Sequence, residues 1–507
     1  MARSLIAQLA ARHGPRASAL DRRKFLQLTL AAGAGLLLSS AGTKVERPGR
    51  DSRKRVVVIG AGFGGLACAF ELRAVGYDVV VLEARDRVGG RVLSFNAANR
   101  NAFLRGRNIE GGGELIGSNH PAWMSYAKAF KFDLLDMTKN EDPAVLPIVI
   151  DGRLLPFDES LELWGHMEDG LRRMNALASG VIADAPWMTP DAPRLDRTST
   201  ATWIHGLSLP EHVKQAMLIN QVSDNGQAAE WQSLLGQLTA IKGGGLETFW
   251  THSEVYRCRG GNDRLAHALA TRIGTERVRL SAPVESVRRE NGRLEVTTRD
   301  GQRLECDDVV LATPPSTWKT IEFRPSLPTA MRPQMGTNTK YLAHVKQRFW
   351  KKGSPPRSQY GLSNGLIQQT WDATDGQGAV DRSNDGACLT AFSGGPVVGR
   401  AEKLPPEDRD RAFASEYERL YPGFGANLVK TRYMDWPKDP WTRASYSFPA
   451  PGQVTTVGPL LASAHLGGHL HIAGEHACYQ FVGYMEGALH SGAAVARRLA
   501  MRDRVSR

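Results

Sequence analysis

Three features predict an α/β protein. Val56-Val57-Val58-Ile59 is an uninterrupted apolar run, as a parallel strand covered on both faces requires. A glycine turn follows at once, Gly60-Ala61-Gly62-Phe63-Gly64-Gly65, and Leu66, Phe70 and Leu72 then mark a helical face that stops at Gly76. A second apolar run, Asp78 to Leu82, ends at Glu83. Strand, glycine turn, helix and strand within residues 54–95 make the βαβ unit of a Rossmann-like dinucleotide-binding domain.

The later elements follow in order. Residues 100–250 are mixed and more helical, with several Trp and Pro. Residues 276–312 alternate as strands, broken by the hairpin signals Asn291-Gly292 and Asp300-Gly301. Val309 to Ala312 is another short buried strand, and residues 320–460 are again mixed. Leu470 to Ala473 is a last core strand, and residues 485–500 are a helix. Dinucleotide-type elements thus sit at the start, middle and end of a chain long enough for more than one domain. An α+β substrate-binding domain is therefore expected to interleave with them. The predicted division is 54–130, 255–320 and 462–507 for the nucleotide, and 131–254 and 321–461 for the substrate.

Upstream, residues 21–27 read Asp-Arg-Arg-Lys-Phe-Leu-Gln, a twin-arginine export signal. An apolar run from Thr29 to Leu38 and a small-residue cleavage site, Ser39-Ser40-Ala41, complete a signal peptide over residues 1–41, and residues 42–53 are a polar linker. Export through the twin-arginine translocase carries folded cargo, which suits a protein that takes up its cofactor before transport; a periplasmic or secreted location is expected. The signal's apolar run is too short to span a bilayer, and no later stretch reaches the roughly 18 apolar residues a spanning helix needs, so no stable membrane insertion is expected. Residues 1–41 hold six Arg/Lys and one Asp, leaving +7 of the formal +12. No basic run interleaves with aromatics, which argues against nucleic acid. The five cysteines are scattered without a CxxC, and buried free thiols are expected. His469 and His471 alternate as strand neighbours would, and no metal site is expected.

The three glycines serve separate ends. Gly60 permits the tight turn, Gly62 lets the backbone approach a pyrophosphate, and Gly65 lets helix and strand pack closely. The diphosphate then meets the helix N-terminus, and Glu83 accepts hydrogen bonds from ribose hydroxyls. This motif alone leaves NAD and FAD both open.

The stretch Glu83-Ala84-Arg85 with Val88-Gly89-Gly90-Arg91-Val92 resembles the flavin-dependent amine oxidase family, which includes monoamine oxidases and L-amino-acid oxidases. The resemblance implies FAD, with Arg85, Gly90 and Arg91 among its contacts and the Gly-Gly-Arg segment wrapping the diphosphate. It extends along most of the chain. Glu110-Gly111-Gly112-Gly113-Glu114 resembles the segment under the flavin ring, so Gly113 and Glu114 are expected there. Arg257 to Asp263 resembles a glycine turn before a helix, and Val284 lies where an adenine-contacting valine is expected. Glu475, in Ala473-Gly474-Glu475, is expected on the ribityl chain. Gly483-Tyr484-Met485-Glu486-Gly487-Ala488 is similar to the closing motif, which brings Met485 and a helix N-terminus to the flavin.

The resemblance also implies a reacting centre. Lys340 matches a lysine that holds a water beside the flavin and helps oxygen accept electrons. Tyr446 and Tyr484 match two facing rings that form a slot for the amine, and Trp436 borders the flavin. Monoamine oxidases tether FAD through a cysteine just before the first slot tyrosine; Ser445 stands here, so FAD is expected to bind non-covalently. The implied activity is oxidative deamination of an amine, with oxygen reduced to hydrogen peroxide. Two alternatives stand beside it, an L-amino-acid oxidase and a periplasmic amine dehydrogenase passing electrons to a cytochrome or quinone. Some L-amino-acid oxidases carry an arginine in the segment matching Gly112–Leu115, where this chain has Glu114. That favours an amine, while Arg443 and Arg357 remain candidates to bind a carboxylate. A homodimer is one assembly open to the chain.

Overall fold

The computed structural model describes residues 54–96, 102–139, 145–290, 292–378 and 386–505. The twin-arginine signal and linker expected over residues 1–53 lie outside them.

The first layer is a five-stranded parallel sheet. It is built from β1 (Arg55–Ile59), β2 (Asp78–Leu82), β3 (Val278–Arg279), β4 (Asp308–Leu311) and β5 (Leu470–Ile472), in the order β5-β4-β1-β2-β3. Val57 pairs with Val80 on one side and Val309 on the other. Alternation along β1 decides what each residue meets. Val56 and Val58 pack towards the helices Phe63–Ala74 (α1) and Met485–Arg502 (α2). Val57 and Ile59 pack against Val284, Val287, Leu294 and Val296 on the opposite side. Each such fully buried valine is worth about 1.5–3 kcal/mol. α1 and α2 touch through glycine, since a Cβ on Gly492 would lie 2.1 Å from the Gly64 carbonyl oxygen.

The opposite layer is a four-stranded sheet in the order Arg303–Cys306, Arg293–Thr298, Val284–Glu290 and Glu322–Arg324. Its hairpin from Arg293–Thr298 to Arg303–Cys306 turns at Asp300-Gly301, with Gly301 at φ +84°.

Much of the stretch read as mixed over 320–460 forms a seven-stranded sheet. Its order is Leu428–Met434, Asn338–Val345, Ala387–Gly394, Gln369–Asp372, Gly361–Ser363, Ile148–Ile150 and Arg153–Leu154. Ile148–Ile150 joins parallel to Gly361–Ser363, so the two sequence segments share one sheet. Helices Phe157–Ala178, Glu211–Asn225 and Leu234–Gly244 pack around Leu163, Trp164, Met217, Leu235 and Leu238.

All five cysteines are buried free thiols. His469 and His471 lie 3.3 and 3.5 Å from the carboxylate of Asp308, which Arg502 grips with two hydrogen bonds of 2.8 and 2.7 Å. Burial opposes ionisation of Asp308, but Arg502 and His471 outweigh it and hold the carboxyl below its usual range. A carboxyl depressed in the folded state stabilises the fold above its unfolded pKa and ceases to do so as pH falls through the folded one. Asp308→Asn should therefore cost about 2 kcal/mol at pH 7. Thermal melts should show that deficit shrinking as the pH is lowered below about 4.

Candidate active site

The βαβ turn builds a cradle at the C-terminal edge of β1. Gly60 turns with φ +104° and donates its N–H to the Leu82 carbonyl at 2.7 Å. Gly62 caps α1 without a side-chain hydrogen bond, and no acidic residue occupies the first turn. The first-turn N–H groups and the positive end of the helix dipole therefore face outward. A Cβ built on Gly62 meets nothing within 4 Å, so that residue opens on free space. Gly65 lies behind the turn, outside the lining of the two cavities described below; its Cβ would fall 2.0 Å from the Gly60 carbonyl oxygen. Glu83 is buried and accepts the N–H groups of Ala61 (2.7 Å) and Arg85 (2.9 Å), so it braces the turn from within. Gly89 and Gly90, at φ +95° and +58°, bring a second glycine loop against the first, and Gly89 bridges to Gly62.

Between these loops runs a cleft with about 1,140 Å³ of empty space, part of it open to solvent. Gly60, Gly62, Glu83, Arg85, Gly90 and Val284 line its length. Arg85 is fastened to Asp439 and to Thr442 Oγ1. The hydroxyl of Thr313, a residue no motif marked, is buried beside this cavity without a hydrogen-bond partner. A bare helix N-terminus, a glycine open to free space and an orphaned hydroxyl fit a dinucleotide.

A second cavity of about 940 Å³ adjoins the first, and Arg91, Gly113, Tyr446, Tyr484 and Met485 line both. Glu475 sits where several chain segments converge. It is buried and accepts from Arg91 (2.9 Å), Ser447 Oγ (2.7 Å) and the Gly483 N–H (3.0 Å). Burial pushes its carboxyl up, but Arg91, His476 and Ser447 outweigh that and hold it below the usual range. Arg91 also donates to the Ser445 carbonyl at 2.6 Å, and the Ser445 hydroxyl donates to Asn338 Oδ1 at 2.7 Å.

Tyr446 donates its hydroxyl to the Asp224 carbonyl at 2.6 Å, and Tyr484 donates to Glu254 Oε1 at 3.4 Å. Gly483, at φ +81°, packs against the Tyr446 ring; its Cβ would lie 3.0 Å from Tyr446 Cδ2. His120 packs edge-on against Tyr484 at 5.2 Å. Asp224, Glu254 and His120 lie in no recognisable motif, and sequence reasoning missed all three.

Lys340, on the strand Asn338–Val345, is 3% exposed. Its ammonium donates to the carbonyls of Glu110 (3.1 Å) and Gly112 (2.8 Å) and to Glu114 Oε2 (2.7 Å). Three acceptors match the three N–H groups of an ammonium. Glu114 is held in turn by Arg257 (2.9 Å) and the Trp371 indole N–H (2.9 Å). Burial raises the Glu114 carboxyl, but Lys340 and Arg257 outweigh it and leave it below the usual range. Lys340 thus staples the glycine segment 110–114 to the seven-stranded sheet. Gly112 passes Arg91 so closely that its Cβ would lie 1.9 Å from the Arg91 carbonyl oxygen. Trp436 closes the same segment by donating its indole N–H to the Gly111 carbonyl at 2.9 Å. Arg443 is exposed and Arg357 donates to the Arg419 and Leu420 carbonyls; neither lines the two cavities.

Comparison with known proteins gives a consistent result. The family described as flavin containing amine oxidoreductase matches residues 63–500. The flavin-containing amine oxidase of Oncorhynchus mykiss is 27% identical over 467 residues, covering 88% of this chain and 85% of that protein. The nicotine dehydrogenase of Pseudomonas putida is 26% identical over 506 residues, covering 94% and 97%. The structure of cyclohexylamine oxidase from Brevibacterium oxydans is similar with a TM-score of 0.78 at 24% identity, covering 89% of this chain and all of that one.

Proposed function

This chain belongs to the flavin-containing amine oxidoreductase family, and from that premise we propose that it oxidatively deaminates a small amine, with oxygen reduced to hydrogen peroxide. FAD is the cofactor that the family implies. Gly60, Gly62, Gly90, Arg91, Thr313 and Glu475, which line the first cavity, would hold it, and Ser445 offers no thiol for a tether. When bound, FAD supplies the two-electron acceptor that amine oxidation needs. The chain's part is orientation and exclusion of water. The faces of Tyr446 and Tyr484 favour a nitrogen centre that approaches as a cation. Trp436, Phe392 and Phe448 supply apolar wall.

One observation carries the choice of an amine over an α-amino acid. Among the described residues, the cationic side chains lining the second cavity are Arg91 and Lys340. Arg91 is committed to Glu475 and Lys340 to Glu114. A substrate carboxylate would meet those occupied cations and three lining carboxylates, Glu114, Asp224 and Glu254. Desolvating an anion there without a bidentate partner is costly.

The twin arginines Arg22-Arg23 support export as a folded holoprotein, and with it a periplasmic or secreted location. The near full-length likeness to a dehydrogenase supports a second reading for the electrons, delivery to a protein or quinone acceptor. Anaerobic mixing of the purified holoenzyme with matched pairs, phenethylamine against L-phenylalanine and an alkylamine against the corresponding amino acid, tests both points. The amines should bleach the flavin at least about tenfold faster, and air should then restore the colour with one peroxide per amine. Bleaching by amino acids alone, or by neither class, overturns the amine reading. Bleaching by amines without recovery in air assigns the electrons to another acceptor.

A further inference from the structure

We infer that Glu486 is a positioning residue for the amine slot: it fixes the Tyr484 ring by fastening the start of α2 to the helix Pro121–Phe130, with His120 as the second point of hold. The inference deepens the amine-oxidising reading and rests on it.

The helix Pro121–Phe130 begins without a cap of its own. Its N-cap residue, His120, makes no side-chain capping bond, Pro121 follows, and the first turn holds no acidic residue. Proline has no N–H, and the next two donors belong to Ala122 and Trp123, both buried. Glu486 satisfies the pair. Its Oε1 accepts the Ala122 N–H at 2.8 Å and its Oε2 the Trp123 N–H at 2.9 Å, from 364 and 363 residues along the chain. The carboxylate is fully buried and also stands in the first turn of α2, so the positive ends of two helix dipoles converge on it. Glu486 lines neither cavity. It acts on the slot through the two residues before it, Tyr484 and Met485, which line both.

The turn into α2 is held on both sides of Tyr484 in sequence. Glu475 accepts the Gly483 N–H at 3.0 Å, and Glu486 is held by the helix. The ring itself meets His120, which packs edge-on against it at 5.2 Å and in the same way against Phe481 at 5.7 Å. His120 is fixed in turn, since its Nδ1 accepts the Gly117 N–H at 2.9 Å. The helix that carries these contacts is bolted to α1. Tyr126 donates its hydroxyl to Glu71 at 2.9 Å, and Trp123 packs edge-on against Phe63, the first residue of α1, at 6.4 Å. Glu486 therefore ties the slot ring to the same rigid body as the glycine turn. That matters for a slot that must present a Cα–H to a cofactor, because misplacing a reacting group by about 1 Å can cost roughly 100-fold in rate.

The test combines Glu486→Gln with Tyr484→Leu in the holoenzyme and reads anaerobic flavin reduction by phenethylamine. Glutamine keeps one acceptor oxygen and turns an amide donor towards the other N–H, so the helix end loses a partner while the side-chain volume stays. Burial pushes the Glu486 carboxyl up to about 7, so rates are compared about two pH units higher, with the carboxylate formed. In Glu486→Gln the limiting reduction rate should fall about tenfold, while the half-saturating amine concentration moves less than about threefold. In the Tyr484→Leu background the same substitution should cost less than about twofold, because the ring it positions is gone. His120→Leu leaves the Glu486 cap in place and should lower the limiting rate in the same sense. It is carried through the same cycle, and decides the matter if Glu486→Gln does not retain flavin. Melts of flavin-stripped protein report separately what the cap contributes to folding. A parental limiting rate in flavin-loaded Glu486→Gln, His120→Leu or Tyr484→Leu, or an equal loss with and without the Tyr484 ring, overturns the inference and leaves amine oxidation standing. Failure of phenethylamine and the alkylamine to bleach the parent's flavin overturns the reading beneath it.

Discussion

Lys340→Met should yield a protein that melts several degrees lower and leaves purification with less than its full complement of flavin. Methionine matches the length of the side chain and removes every donor. The carbonyls of Glu110 and Gly112 would lose their buried partner, and Glu114 would keep only Arg257 and Trp371. Breaking a buried ion pair from one side costs about 3–5 kcal/mol. Orphaned buried carbonyls add to it, while the retained Arg257 contact reduces it. The loss falls on the segment that passes Arg91 with no room for a Cβ at Gly112, so the cofactor cavity should loosen as well. Thermal melts of flavin-stripped protein separate this from an effect on oxygen alone. An unchanged melting temperature and full flavin content, with only peroxide formation slowed, would assign Lys340 to oxygen and remove it as a staple.

The same cluster shows where sequence reading reaches and where it stops. β1, α1 and β2 were legible because their signals are local: a four-residue apolar run, three glycines at fixed spacing and a helical stripe, all within residues 54–83. Strands β4 and β5 announced themselves as short apolar runs, although their pairing with each other joins positions far apart in the chain. Tyr446 and Tyr484 could be singled out by motif, and the structure places both against the same two cavities. The seven-stranded sheet was not legible. One of its strands, Asn-Thr-Lys-Tyr-Leu-Ala-His-Val, is buried on both faces and so lacks the alternation that marks a half-exposed strand. Its buried lysine is paid for by Glu114, 226 residues earlier, and no local window contains that pair. Glu114 was therefore read for the arginine it replaces, whereas its environment is set by Lys340, Arg257 and Trp371. Asp224 and Glu254 escaped for a related reason. Each is an ordinary polar residue at or just beyond a helix end, and only the packing of those helices around the slot gives it a role.

Gly62→Ala and Gly65→Ala should fail in opposite ways, although the two glycines are three residues apart. Gly62 has φ −74° and ψ 176°, a conformation any residue adopts, and a Cβ there meets nothing within 4 Å. Its alanine variant should fold with a melting temperature close to the parent's once flavin is removed. It should nevertheless bind FAD at least about tenfold more weakly, because the new methyl group occupies the space through which the diphosphate approaches the helix N-terminus. At Gly65 the added Cβ lands 2.0 Å from the Gly60 carbonyl oxygen and 3.1 Å from Val58 Cγ1. No side-chain rotation relieves a clash with backbone, so α1 must move away from β1. Overpacking of this kind costs about 3 kcal/mol or more. The Gly65 variant should therefore lose stability with or without FAD, in urea unfolding followed by tryptophan fluorescence. Full flavin retention by Gly62→Ala would mean that the dinucleotide does not lie across this helix N-terminus. Undiminished stability of flavin-stripped Gly65→Ala would mean that strand and helix are less tightly coupled than their contact distance demands.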